Sequence, residues 1–149
     1  MPGVGPMLDR EAIAARIPHA GRMVLLDRVI DWDQRTIRCA TRSHLDPANP
    51  LREPSGLPVW AGIEYAAQAA AIHGSLLQDG AAARQGFLAT ARDVQPYCER
   101  LDGIEGELVV RATLAHADPA GAIYDFELSS ATRVLLTGRS ALMYAKDHG

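Results

Sequence analysis

Lysine is nearly missing from this chain: Lys146 is the only one among its 15 basic residues, and the other 14 are arginine. No two basic residues are adjacent and the formal net charge is -3, so the basic patch that nucleic-acid binding requires is missing. Cysteine is scarce as well. Cys39 and Cys98 form no CxxC or metal-ligand spacing, which argues against a structural zinc site, and free thiols in a reducing cytosol are the expectation. No run approaches eighteen apolar residues, and the first residues lack a basic patch followed by an apolar stretch. Neither a membrane span nor a signal peptide is therefore expected, and a soluble, cytoplasmic protein is. The strings HExxH, GxGxxG, GxSxG and the phosphate-binding loop do not occur, which argues against zinc-hydrolase, nucleotide-binding and serine-hydrolase chemistry.

What is present fits one globular domain over residues 1–149, with residues 1–8 a loose lead-in. At 48% hydrophobic and 22% charged residues the composition is ordinary for a folded protein. The arginines supply planar groups able to meet the carboxylates or phosphates of an acidic partner. Asp9 is placed to cap a short helix over about residues 10–16, which Pro18 stops. The stretches 23–32 and 36–42 read as a hairpin, and the five residues Pro47, Pro50, Pro54, Gly56 and Pro58 make 46–58 an extended loop.

A single long helix follows from about residue 59, with Pro58 at its first position and Gly80 just past its end. It is apolar almost all round, so other structure must enclose it. Alternating apolar residues over 86–94, 107–117, 123–130 and 133–145, with a turn at Asp118–Pro119–Ala120–Gly121, supply the enclosure. Two strands, one helix and four more strands predict an α+β fold, an antiparallel sheet curled over one helix.

Glu64 is the only acidic residue between Trp60 and Leu77. A carboxyl enclosed by apolar residues costs several kcal/mol unless paired, hydrogen-bonded or protonated, so a general acid is one reading. A solvated Glu64 at the helix edge, or one paired with an arginine, is the other. Gln68, four residues on, is placed to hold the Glu64 carboxyl. His19, between Pro18 and Gly21, sits at a helix-to-strand junction and is a candidate base, though a loop histidine is more often structural. His73 falls about half a turn out of phase with Glu64 and reads as packing. His44, His116 and His148 read as surface residues.

Together, IPHAGRMVLLDRVIDW and GLPVWAGIEYAAQAAAIHG resemble the opening strand and central helix of bacterial 3-hydroxyacyl-[acyl-carrier-protein] dehydratases of hot-dog fold, most of all the divergent branch associated with aryl polyene-type clusters. The resemblance extends more weakly through GFLATARDVQPY, ELVVRATLAH and GRSALMYAK. It implies that Glu64 and a histidine remove water from a 3-hydroxyacyl thioester on an acyl carrier protein. It also implies that no cofactor or metal is needed, and that two hot-dog subunits pair as a homodimer or heterodimer. One departure stands out. The better-known branch has its histidine fourteen residues before the glutamate, where this chain has Pro50, and a glycine five residues before it, where this chain has Val59.

Either His19 supplies the base or ordinary dehydratase activity is lost. In the first case Gly62 is expected to aim a backbone N–H at the thioester oxygen, and Trp60, Tyr65 and Leu88 to line an acyl slot. Arg22, Arg92 and Arg100 are candidates for contact with the acidic carrier. The alternatives are a hot-dog thioesterase using the same Glu64 and a catalytically silent, carrier-binding subunit.

Overall fold

A computed structural model of the protein describes residues 7–16, 23–78 and 86–144. The elements form because local hydrogen bonding and apolar spacing agree. Helix α1 (Arg10–Ala14) starts where the Asp9 carboxylate accepts the Ala12 N–H at 2.9 Å, the cap read from the sequence. Strands β1 (Arg28–Trp32) and β2 (Thr36–Thr41) pair antiparallel. Their hairpin closes on Asp33, whose side chain accepts the N–H groups of Arg35 and Thr36.

The strand expected to begin at Met23 begins at Arg28. Val24, Leu25 and Leu26 are all buried, so this stretch does not alternate in and out as a half-buried strand does. Side chains, described below, take the place of ladder partners for its backbone.

After the Pro-rich loop, Pro58 caps a single 3-10 turn (Val59–Ala61), one residue ahead of the position expected for it, and helix α2 (Gly62–Gln78) continues from there. The position expected for Gly80 lies outside the described residues. Strands β3 (Gly86–Pro96), β4 (Leu108–Asp118), β5 (Gly121–Ser129) and β6 (Val134–Tyr144) complete one six-stranded antiparallel sheet in the order β1-β2-β4-β5-β6-β3. The Asp118 carboxylate shapes the β4–β5 turn by accepting the N–H groups of Ala120 and Gly121. Gly121 is required by contact: a Cβ there would lie 2.0 Å from the Leu142 carbonyl oxygen.

Leu108, Val110 and Ala112 of β4 and Ala122, Tyr124, Phe126 and Leu128 of β5 alternate inward onto α2, which packs against β2 through β6. Each fully buried leucine of this core contributes about 1.5–3 kcal/mol by leaving water. Both cysteines are free, as expected, and burial pushes the Cys39 thiol up to about 12. No helix among the described residues is long and apolar enough to cross a membrane.

Candidate active site

The sheet wraps most of α2 but leaves one stripe open. At 100° per residue, positions 60, 63, 64, 67 and 71 share a face. Trp60 is 52% exposed, Ile63, Glu64 and Ala71 are partly buried, and Ala67 is the exception at 5%. Every other residue from Gly62 to Ser75 is buried. Glu64 is therefore partly buried and not sealed in an apolar enclosure, which is nearer the second of the two environments weighed for it, at the helix edge. It stands in the first turn of α2, on the face that the sheet does not cover, with Trp60 one turn before it. It is the only acidic residue of the helix, close to the positive end of the helix dipole. A carboxyl group there is accessible to a ligand, which a fully buried one is not.

The neighbours assigned to Glu64 have other roles. Gln68 is 1% exposed and does not hold Glu64: its Oε1 accepts the Leu25 N–H at 2.9 Å, and its Nε2 donates to the Met23 carbonyl at 2.6 Å. Tyr65 does not line a slot. It is fully buried, and its hydroxyl lies 2.7 Å from Ser43 Oγ and accepts from Asn49 Nδ2 at 3.0 Å. Burial, the largest influence, raises its phenol above the usual range. Gly62 does not offer a free N–H, because that group turns back to the Val59 carbonyl and closes the 3-10 turn. Gly62 is there for close packing: a Cβ would fall 2.6 Å from Leu136 Cδ2 and 2.8 Å from Leu128 Cδ2. The Val59 N–H is also used, donating to the Glu99 carbonyl at 2.9 Å. Trp60 is 52% exposed and Leu88 of β3 is partly buried against the core.

His19 lies outside the described residues, as do Arg22 and His148. Pro50, at the position of the missing loop histidine, is exposed. His116 is at the surface as expected, whereas His44 is not: it is fully buried and its Nε2 pairs with the Ile104 carbonyl at 2.9 Å. His73 is packing, as read. Its Nε2 reaches the Asp33 carbonyl at 2.8 Å and its Nδ1 the Tyr124 hydroxyl at 2.7 Å. A carbonyl can only accept, so Nε2 carries the proton and Nδ1 accepts from Tyr124. Of the remaining arginines, Arg92 is exposed on β3, and Arg100 donates to the Ser55 carbonyl and lies 3.6 Å from Asp102. Among the described residues no three His, Cys, Asp or Glu side chains gather as a metal site would need.

Sequence reasoning missed the polar group around Leu25. The Leu25 carbonyl accepts from Thr41 Oγ1 at 2.5 Å and Ser43 Oγ at 2.6 Å. Asn49 bridges Ser43 and Tyr65, which anchors the Pro-rich loop to α2. Only the three-dimensional meeting of residues 25, 41, 43, 49, 65 and 68 reveals this group.

Comparison with known proteins gives a consistent placement. Among solved structures the chain is similar to the dehydratase heterocomplex ApeI:P from Xenorhabdus doucetiae, with 26% identity over 91% of each chain and a TM-score of 0.76. It is similar in fold to a mutant thioesterase from Pseudomonas aeruginosa, with 14% identity, 92% of this chain and 94% of that one covered, and a TM-score of 0.67. The PaaI protein of Escherichia coli shares the fold at 12% identity, with 79% and 78% covered and a TM-score of 0.56. No curated protein matches the sequence. These neighbours establish the α+β hot-dog fold expected from the sequence. The family model described as ApeP dehydratase matches residues 11–148, almost the whole chain, including the helix that presents Glu64. The protein belongs to the ApeP-like family of dehydratases.

Proposed function

We propose that the chain dehydrates 3-hydroxyacyl thioesters held on an acyl carrier protein, in fatty acid or aryl polyene-type biosynthesis, and that it works as one half of a hot-dog heterodimer. The observation that carries the reading is the placement of Glu64, the only acidic group of α2, on a partly exposed stripe of a helix that is otherwise buried from Gly62 to Ser75, in a dehydratase-family fold. In the proposed reaction His19, neutral, takes the C2 proton beside the thioester. The C2–H electron pair becomes the C2–C3 double bond, and Glu64 gives its proton to the departing C3 hydroxyl, which leaves as water. His19 ends protonated and Glu64 ionised, and exchange with solvent resets both. The product is a trans-2-enoyl thioester.

A second subunit is favoured by two features. The stripe of Trp60, Ile63 and Ala71 beside Glu64 is apolar and at least partly exposed, and β3 ends the sheet with its described side chains mostly exposed. The similarity to the ApeI:P heterocomplex supports pairing with a different hot-dog chain rather than a copy.

A second reading, a carrier-binding subunit with no catalysis of its own, is favoured by Pro50 standing where the loop histidine is expected. One experiment separates them. The chain, alone and mixed with a candidate hot-dog partner, is incubated with 3-hydroxyacyl carrier thioesters, and loss of water is followed by mass spectrometry for the unsubstituted protein, Glu64→Gln and His19→Ala. Loss of turnover in both variants supports the assignment. Full turnover in the heterodimer carrying Glu64→Gln makes this chain the silent subunit, and release of free carrier thiol makes it a thioesterase.

A further inference from the structure

The last turn of α2 borders a cleft of about 510 Å³, a volume in the range of small-molecule sites. Leu77 of the helix and Leu114 and Ala117 of β4 give it apolar walls, and Tyr144 of β6 adds an aromatic ring. Asp118 borders it too. That carboxylate already accepts the N–H groups of Ala120 and Gly121 and lies 3.5 Å from His116, so an apolar occupant leaves its hydrogen bonds intact.

Gly74 also borders the cleft, and packing gives it no reason to be glycine. A glycine inside a helix costs stability relative to alanine. At Gly62 the close approach of Leu136 and Leu128 demands it. At Gly74, within α2, a Cβ would meet only the Tyr144 side chain, 3.6 Å from its hydroxyl and 3.9 Å from Cε1, which is ordinary contact. What the missing side chain provides is room in the cleft.

The cleft continues the side of the helix that carries Glu64. At about 100° and 1.5 Å per residue, Ala71, Gly74 and Gln78 fall within about 80° of Glu64 around the axis, and Gly74 lies about 15 Å and Gln78 about 21 Å along it. Gly74 and Gln78 both border the cleft. An extended chain advances about 1.2 Å per bond, as an extended backbone does over its three bonds per residue. About twelve bonds beyond C3 therefore carry an acyl chain from Glu64 to Gly74.

We infer that Gly74 is a specificity-determining residue: it keeps open a cleft at the C-terminal end of α2 that receives the far end of a long acyl chain whose thioester end lies at Glu64. The inference rests on the dehydratase reading above and adds to it a substrate class, 3-hydroxyacyl groups of about sixteen carbons or more. Each methylene taken into the cleft strengthens binding about fourfold. A short chain stops before the cleft and gains nothing from it.

The test measures kcat/KM for dehydration of carrier thioesters with acyl groups of about six and about eighteen carbons, in the form, alone or with a candidate hot-dog partner, in which the unsubstituted protein turns over. The readout is the ratio of the long-chain to the short-chain value, because general damage to the fold lowers both alike. Gly74→Leu puts a side chain into the cleft, so the ratio is expected to fall about tenfold or more. An unchanged ratio overturns the inference. Gly74→Ala, whose added Cβ makes ordinary contact, is expected to melt no lower than the unsubstituted protein. A lower melting temperature would give the glycine a packing reason and overturn its assignment. Should Gly74→Leu fail to fold, Ala117→Trp fills the cleft from an exposed position on β4 and decides by the same ratio. Dehydration of the short chain but not the long one by the unsubstituted protein overturns the inference and leaves the dehydratase reading standing. No dehydration of either chain defeats the dehydratase reading and takes the inference with it.

Discussion

Replacing Tyr124 with phenylalanine is expected to destabilise the fold through a single lost bond. The Tyr124 hydroxyl donates to His73 Nδ1, both residues are at most 1% exposed, and the two rings meet edge-on with centroids 5.5 Å apart. Phenylalanine keeps the ring and its packing, so almost no apolar burial changes. It leaves the Nδ1 lone pair of a buried imidazole without a donor, because Nε2 is already committed to the Asp33 carbonyl. An unsatisfied buried acceptor costs about 1–3 kcal/mol. For a chain of this length that lowers the melting temperature by about 3–9 °C. Burial also holds His73 below the usual imidazole range, so the folded state resists taking up a proton that the unfolded chain accepts below about pH 6.5.

The fold is then fully stable with respect to this group above that pH and loses stability as pH falls below it. Thermal melts of Tyr124→Phe at pH 8 would therefore show the bond loss alone, free of any proton uptake. Dehydration by the folded variant is expected to be unchanged, since His73 lies about half a turn from Glu64 around α2. A melting temperature within 1 °C of the unsubstituted protein would refute the assigned tautomer and bond.

Two further predictions concern the fold. Burial also depresses His44, so acid destabilisation has two contributors, each limited to about 1.4 kcal/mol per pH unit below about pH 6.5; chemical denaturation between pH 8 and pH 5 should show a shallower decline in His44→Gln and His73→Gln than in the parent. Gly121→Ala must move the Leu142 carbonyl away from the new Cβ, at a cost of about 1–3 kcal/mol, which differential scanning calorimetry would register as a lowered transition.

The antiparallel sheet curled over one helix was legible because its elements announce themselves locally, and the resemblance supplied the hot-dog family. Pro58 and a predominantly apolar stretch mark α2, alternation marks β4, and Asp118 through Gly121 marks the turn that the Asp118 side chain does cap. Misreadings arose where a residue's partner is distant in sequence. Met23 to Asp27 looked like strand because it is apolar, but apolar character does not distinguish a ladder partner from the Gln68 amide 43 positions away. Helical spacing put Gln68 near Glu64 correctly and its bonds wrongly, since spacing places a side chain on a face without saying which backbone passes that face. His44 looked exposed because its neighbours are polar and a proline-rich loop follows, yet it is buried with its ring bonded to Ile104, 60 positions on. Glu64 stood out as the one charge in an apolar helix, and it sits on the stripe the sheet leaves open.

The account depends on Glu64 moving a proton to and from the oxygen at C3, and the reverse reaction reads that step directly. A trans-2-enoyl carrier thioester is incubated in oxygen-18 water with the protein, alone and with a candidate hot-dog partner, and the label is located by fragment mass spectrometry. The account predicts label in a new C3 hydroxyl with the thioester intact, and none with Glu64→Gln. Label in a released carboxylate, or equal hydration by Glu64→Gln, would contradict it.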